Sequence, residues 1–254
     1  MLNFIKNMKI RTAVIAVAIL PLLSSFVYST YSVYSDMQTI HELESLGQLT
    51  KLTIKMNEMV HELQLERGVS SIYLGSRGKK FSKELLDERK ATNTKLAEFT
   101  ELIKNSDLNS HEEQFSDGIE GLLKELARLN GIREQIDHFT IPIEKEVEYF
   151  SSLNAMSMDI ISKMALMSSN SEITTRIIVY VSFMKAKEFA GMERATASGA
   201  FGQGTFSDAA KDKVKNLITA QEVNLKLFKE LATLDEVEFY TSTMSDRQLS
   251  RLIG

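Results

Sequence analysis

Two Glu-Arg pairs carry the chemistry this sequence offers. The first opens Glu66-Arg67-Gly68-Val69-Ser70-Ser71 and continues through Leu74-Gly75 and a polar stretch to Phe81-Ser82. The second opens Glu193-Arg194-Ala195-Thr196-Ala197-Ser198 and continues through Phe201-Gly202 and a polar stretch to Phe206-Ser207. Aligning Arg67 with Arg194 pairs Ser71 with Ser198, Leu74 with Phe201 and Gly75 with Gly202, and the Phe-Ser pairs follow after 14 and 12 residues. A repeated helix–turn–helix unit predicts a pseudo-symmetric bundle that brings the two arginines together on facing helices. Two guanidinium groups in a dry interface suit a small planar anion, because each offers a rigid fork of donors and stays charged when buried.

The residues around each arginine follow from helical spacing. Ser71 and Ser198 lie four residues after Arg67 and Arg194, one turn along the same face, where a hydroxyl can donate to an anion oxygen. Lys187 lies seven residues before Arg194 and shares its face, but Val60 stands at the matching place in the first motif, so the pocket is not fully symmetric. Glu66 and Glu193 diverge from the arginines next to them, and each can pair across an interface or with Lys187. Gly68 and Gly191 each cost a helix about 1 kcal/mol relative to Ala, a cost that close helix–helix approach would offset.

Other chemistry finds no support. The chain has no Cys, hence no thiolate and no disulfide. His41, His61, His111 and His138 are scattered, and the Glu58–His61 pair has no companion pair to complete a metal site. Phosphate loops, nucleophile elbows and zinc-protease helices are missing from the sequence. The reading is therefore no enzyme, no metal and no cofactor. The methionines Met156, Met158, Met164 and Met167 read as core filling.

The elements that must position the arginines are helices. Beyond Asp36 one proline, Pro142, interrupts 219 residues rich in charge, which disfavours a sheet. Apolar residues from Ile40 to Leu63 keep three- and four-residue spacing, predicting one long helix from Asp36 to about Leu74. Further helices are expected over Phe81 to Ile103, from the capping box Ser110-His111-Glu112-Glu113 to about His138, and from Pro142 to about Ser168. Others are expected from Ser171 to about Ala200 and from Ser207 to about Ala232. A last one follows the capping box Thr233-Leu234-Asp235-Glu236. The β-prone run Ile177-Ile178-Val179-Tyr180-Val181 sits inside a helical pattern.

The N-terminus reads as membrane-directed. Lys6, Lys9 and Arg11 precede a largely apolar stretch from Thr12 to Tyr34. As a helix it would be about 34 Å long, against roughly 30 Å of hydrocarbon. The cations before it place the N-terminus inside. The whole chain carries −4, and residues 1–11 hold three cations and no acid, which leaves −7 for residues 12–254. Such a domain repels nucleic acid and needs a specific cationic pocket to hold an anion.

The motif-bearing segments Glu62-Leu63-Gln64-Leu65-Glu66-Arg67-Gly68 and Lys187-Glu188-Phe189-Ala190-Gly191-Met192-Glu193-Arg194-Ala195 resemble the nitrate- and nitrite-sensing (NIT) domain family of bacterial receptors and regulators. Tyr149-Phe150-Ser151-Ser152-Leu153-Asn154 adds weaker likeness, and the resemblance runs from about Leu43 to the C-terminus. It implies an all-α fold of long antiparallel helices in stacked bundles. It also implies nitrate or nitrite held near Arg67 and Arg194, and an attached output domain that this chain lacks. The expectation is then a cytoplasmic N-terminus (1–11), a transmembrane helix (12–34) and a periplasmic sensor domain (36–254) of an inner-membrane, chemoreceptor-like protein. It would be a homodimer by analogy, with nitrate or nitrite and the membrane as partners and no nucleic acid. Two alternatives stay open. The Glu-Arg motifs are interhelical salt bridges of a ligand-free structural or interaction module, or the sensor takes another small oxyanion or a carboxylate.

Overall fold

A computed structural model describes residues 10–105, 113–167, 170–202 and 206–245. Among the described residues the chain is all-α, with α1 (Ile10–Gly75), α2 (Ser82–Asn105), α3 (Glu113–Leu126), α4 (Leu129–Asp137), α5 (Ile143–Met167), α6 (Ser171–Gly202), α7 (Asp208–Leu231) and α8 (Leu234–Ser245). It divides into two compact units, Met1–Thr50 and Lys51–Gly254. Both arginine motifs fall in the second.

In the first unit, Leu22, Leu23, Phe26, Val27, Tyr28, Tyr31 and Tyr34 are exposed along α1. The expected membrane span 12–34 needs correction. Among the described residues no helix is long and apolar enough to cross a membrane. In the part of α1 whose side chains are described, Ser24, Ser25, Ser29, Thr30, Ser32 and three tyrosines interrupt the apolar run, and the side chains of residues 10–18 lie outside the described residues. Ser24 and Thr30 turn their hydroxyls back onto the carbonyls of Pro21 and Phe26 at 2.9 and 2.8 Å. Of the expected cytoplasmic N-terminus, 1–11, residues 1–9 lie outside the described residues.

In the second unit, the part of α1 from Lys51 onward is the element that most others bond to. Leu52, Met56, Met59, Val60 and Leu63 are buried along it, at the spacing that predicted the helix. Phe150, Leu153, Met158, Ile161 and Met164 of α5 and Val179 and Met184 of α6 fill the same core. Val60, Met158 and Met184 form one cluster with Tyr180 packed against it. The β-prone run of α6 is therefore helical, its branched side chains used for packing. The strongest helix–helix contacts join α6 to α7, α5 to α6 and α3 to α5. Phe183, Phe228 and Tyr240 meet at centroid distances of 5.4 to 6.0 Å and fasten α6, α7 and α8 together.

The helix ends follow local chemistry. α1 stops at Gly75, and the turn after it places Arg77, Gly78 and Phe81 at positive φ. At Gly78 a Cβ would come 3.0 Å from the Phe139 ring, which itself stacks on Tyr73 at 5.3 Å. Asn170 caps α6, its side-chain oxygen accepting from the amides of Glu172 and Ile173. Ser207 accepts from Ala210 to cap α7. Thr233 and Glu236 exchange the two bonds of the expected capping box ahead of α8. The other expected box, at Ser110, falls outside the described residues.

One expected helix, from Ser110 to His138, is two. The break at Ala127–Arg128 has a visible cause. The Tyr149 hydroxyl of α5 donates to the Glu125 carbonyl at 2.8 Å, and the Arg128 amide tightens onto that same carbonyl at 3.1 Å. A side chain inserted into the ladder ends α3, and α4 restarts at a new angle. Tyr149→Phe should therefore cost about 1 kcal/mol of stability in urea unfolding, the worth of one partly buried hydrogen bond. A change below a few tenths would show that the break does not depend on this hydroxyl.

Candidate functional site

Arg67 and Glu66 leave α1 in different directions, about 100° apart as for any adjacent helical residues. Glu66 is fully buried and grips Arg133 of α4 through two bonds of 2.7 Å, to Nε and Nη2. Arg133 also donates to Asn93 of α2 at 2.7 Å, and Arg89 of α2 stands 3.8 Å from Glu66 and 2.9 Å from Asp137. This side joins α1, α2 and α4.

Arg67 turns toward α5 and α6. Its guanidinium is buried, and Nη1 and Nη2 both donate to the carboxylate of Glu188 on α6. Nη1 also donates to Ser151 Oγ of α5 at 2.6 Å. The same Glu188 oxygen that takes Nη2 accepts from Gln64 Nε2 at 2.8 Å and from Asn154 Nδ2 at 3.2 Å. Four donor groups from α1 and α5 thus converge on one carboxylate of α6. Gly191, one turn beyond Glu188, makes the approach possible, since a Cβ there would lie 3.1 Å from Arg67 Nη2. Gly68 has no such role, because a Cβ on it would meet nothing within 4 Å.

One turn further along α1, Ser71 donates to Glu146 of α5 at 2.6 Å. Glu146 is fully buried, and its other oxygen has no partner among the described residues. Each of the other two buried acids in this layer holds an arginine; Glu146 holds a serine. Loss of water around it pushes its pKa up to about 8, against the smaller opposing pull of Ser71 and Arg67. The layer is therefore nearly neutral at pH 7: Arg67 with Glu188, Arg133 with Glu66, Arg89 with Asp137, and Glu146 protonated.

The second motif looks different. Arg194 is exposed on α6 and has no acidic partner among the described residues. Glu193 accepts from Gln221 of α7 at 2.5 Å and makes no pair with Lys187. Lys187 is exposed, and its Nζ lies 3.3 Å from His61 Nδ1 of α1. Partial loss of water lowers its pKa. Ser198 belongs to α6, with its side chain outside the described residues. Of the sequence-predicted residues, Arg67, Ser71 and Gly191 therefore share one buried layer, while Arg194 and Lys187 reach the surface. Sequence reasoning missed Glu188, Glu146, Gln64, Ser151 and Asn154. Glu188 had one signal available: it precedes Gly191 by one turn within the motif-bearing segment.

The family model described as "Nitrate and nitrite sensing" matches residues 58–252. A nitrate regulatory protein of Klebsiella oxytoca is 26% identical over 195 residues, covering 77% of this chain and 48% of its own. The solved structure of the NasR transcription antiterminator superposes with a TM-score of 0.78 at 24% identity, over 81% of this chain and 56% of its own. This chain thus spans about half the length of each relative. These findings correct the expectation of a membrane-anchored, periplasmic, chemoreceptor-like sensor. The relatives are a nitrate regulatory protein and a transcription antiterminator, and among the described residues no helix is long and apolar enough to cross a membrane. The inner membrane as partner and location does not stand. Nor does the exclusion of nucleic acid, which rested on net charge alone.

Two outcomes follow from the site. Gly191→Ala gains about 1 kcal/mol of helix propensity, yet its methyl group has to push Arg67 off Glu188. Urea unfolding should therefore show a net gain well below that figure or a loss, and a full gain would mean that Arg67 yields freely. Glu146 supplies a pH dependence. The folded state holds a proton there up to about pH 8, whereas the unfolded chain releases it near 4.5. Stability should therefore fall as pH rises from about 5 to 8. Glu146→Gln should flatten that slope in melting curves, and an unchanged slope would place the titration elsewhere.

Proposed function

The chain belongs to the nitrate and nitrite sensing family, and from that premise we propose that the unit from Lys51 onward is a regulatory sensor of nitrate or nitrite anchored on Arg67. The observation that carries this reading is the planar, two-oxygen carboxylate of Glu188 lying on the Arg67 fork. A nitrate or nitrite ion presents the same planar O–X–O edge, so the donors that hold this carboxylate match those a bound ion requires.

Arg194 supplies a second positive charge on the helix that carries Glu188. Together with Ser71, Ser198 and Lys187 it would complete the ion's surroundings once the helices adjust. The role is regulatory, of the kind that the relatives' titles name, and involves no catalysis. Arg67 and Glu188 connect α1 to α6, so a ligand on Arg67 changes how these two helices are held. Signalling can draw only on the ion's difference in affinity between the two arrangements.

The second reading, interhelical salt bridges in a ligand-free module, is favoured by the same pair, since a carboxylate already fills the Arg67 fork. Calorimetric titration of the full chain with nitrate and nitrite, against chloride and acetate, separates the two. Arg67→Lys keeps the charge and removes the fork. It should weaken nitrate binding tenfold or more, about 1.4 kcal/mol, with the helical circular-dichroism signal retained, and Arg194→Ala should weaken it as well. Nitrate affinity that ignores Arg67→Lys would sink the sensor reading at this site.

A further inference from the structure

The charge balance around Arg67 constrains how an anion can enter. Arg67 and Arg133 are each matched by a buried acid, Glu188 and Glu66, and Arg89 by Asp137. An added anion would bring an unmatched charge into a dry layer, which is expensive. The Nη1–Nη2 edge of Arg67 already holds two oxygens of Glu188, and one edge of a guanidinium accepts one planar oxyanion at a time. The adjoining Nη2 faces α6 so closely that a Cβ on Gly191 would lie 3.1 Å away. Little room is left for an ion beside the carboxylate.

We propose that Glu188 is a built-in occupant of the anion site: the ligand binds by taking its place on Arg67 and inherits the donors Gln64 Nε2, Asn154 Nδ2 and Arg67 Nη1 and Nη2. This rests on the reading of Arg67 as the anchor for nitrate or nitrite. The exchange keeps the layer neutral, because one monovalent planar group leaves as another enters. The released carboxylate turns away from Arg67 toward solvent. No covalent bond changes. Glu188 then sets the affinity, since every binding event has to overcome its competition at an effective concentration fixed by the fold. Gln64 and Asn154 discriminate by shape. Their amide N–H groups aim at one oxygen of a planar acceptor, a geometry that a spherical halide does not match.

The test uses the full chain with Glu188→Gln and Glu188→Ala, nitrate, formate and chloride as probes, and both calorimetry and melting curves at constant ionic strength. Removing the competing charge should tighten the nitrate Kd tenfold or more in both variants. In Glu188→Ala, nitrate and formate should raise Tm by more than they do in the unaltered chain, and chloride should raise it less than either. Gln64→Leu and Asn154→Leu should each weaken nitrate binding. A variant too unstable alone should regain its helical signal in saturating nitrate, and failure to do so counts against the proposal. If nitrate binding depends on Arg67 but is unchanged or weaker in both Glu188 variants, the displacement is wrong and the sensor reading survives. If nitrate binds the unaltered chain with no dependence on Arg67, the sensor reading falls at this site and the displacement falls with it.

Discussion

The buried pair of Arg67 and Glu188 is the constraint on which the rest of this architecture turns. Two charges removed from water are tolerated only when their remaining donors and acceptors are also met. Around this pair they are met from three helices: Gln64 on α1, Ser151 and Asn154 on α5, and Glu188 itself on α6. The packing of the three helices is specified as much by these bonds as by the apolar cluster of Val60, Met158 and Met184 beneath them. Apolar contact tolerates sliding; a carboxylate gripped by four donor groups does not.

Such a pair contributes more to specificity than to net stability. Its attraction is largely offset by the desolvation of both partners. That makes it a suitable element for a sensor, because little net energy separates the paired arrangement from one in which another anion holds the arginine. The neutral Glu146 next to it follows the same logic. A third carboxylate without its own cation stays protonated in so dry a place, and the layer avoids a surplus charge.

Much of this was legible in the sequence, and the illegible part has a physical cause. Periodicity placed the end of α1 and both ends of α2, α5, α6 and α7 to within a few residues. The α3–α4 break was not visible, since it depends on a tyrosine hydroxyl from α5, distant in sequence, reaching the Glu125 carbonyl. Hydropathy over Thr12–Tyr34 suggested a membrane span, but among the described residues no helix is long and apolar enough to cross a membrane. Helix propensity singled out Gly68 and Gly191 as close-approach positions, and only the second meets a neighbour; the repeat implied more symmetry than exists, since one arginine is buried and the other exposed. Helical spacing identifies which residues share a face. It does not say which face is covered, nor that Glu188, Gln64 and Asn154 meet there.

The divergent exits of Glu66 and Arg67 from one turn of α1 have a mechanical consequence. Each is anchored, one toward α2 and α4 and the other toward α5 and α6. A shift of α1 along its axis loads both anchors in the same sense. A twist about that axis swings both side chains sideways across their partners, a different strain on the same bonds. With one guanidinium clamp in each of two directions, both motions of the helix are resisted. Releasing one clamp leaves rotation about the other as the softest motion available to it.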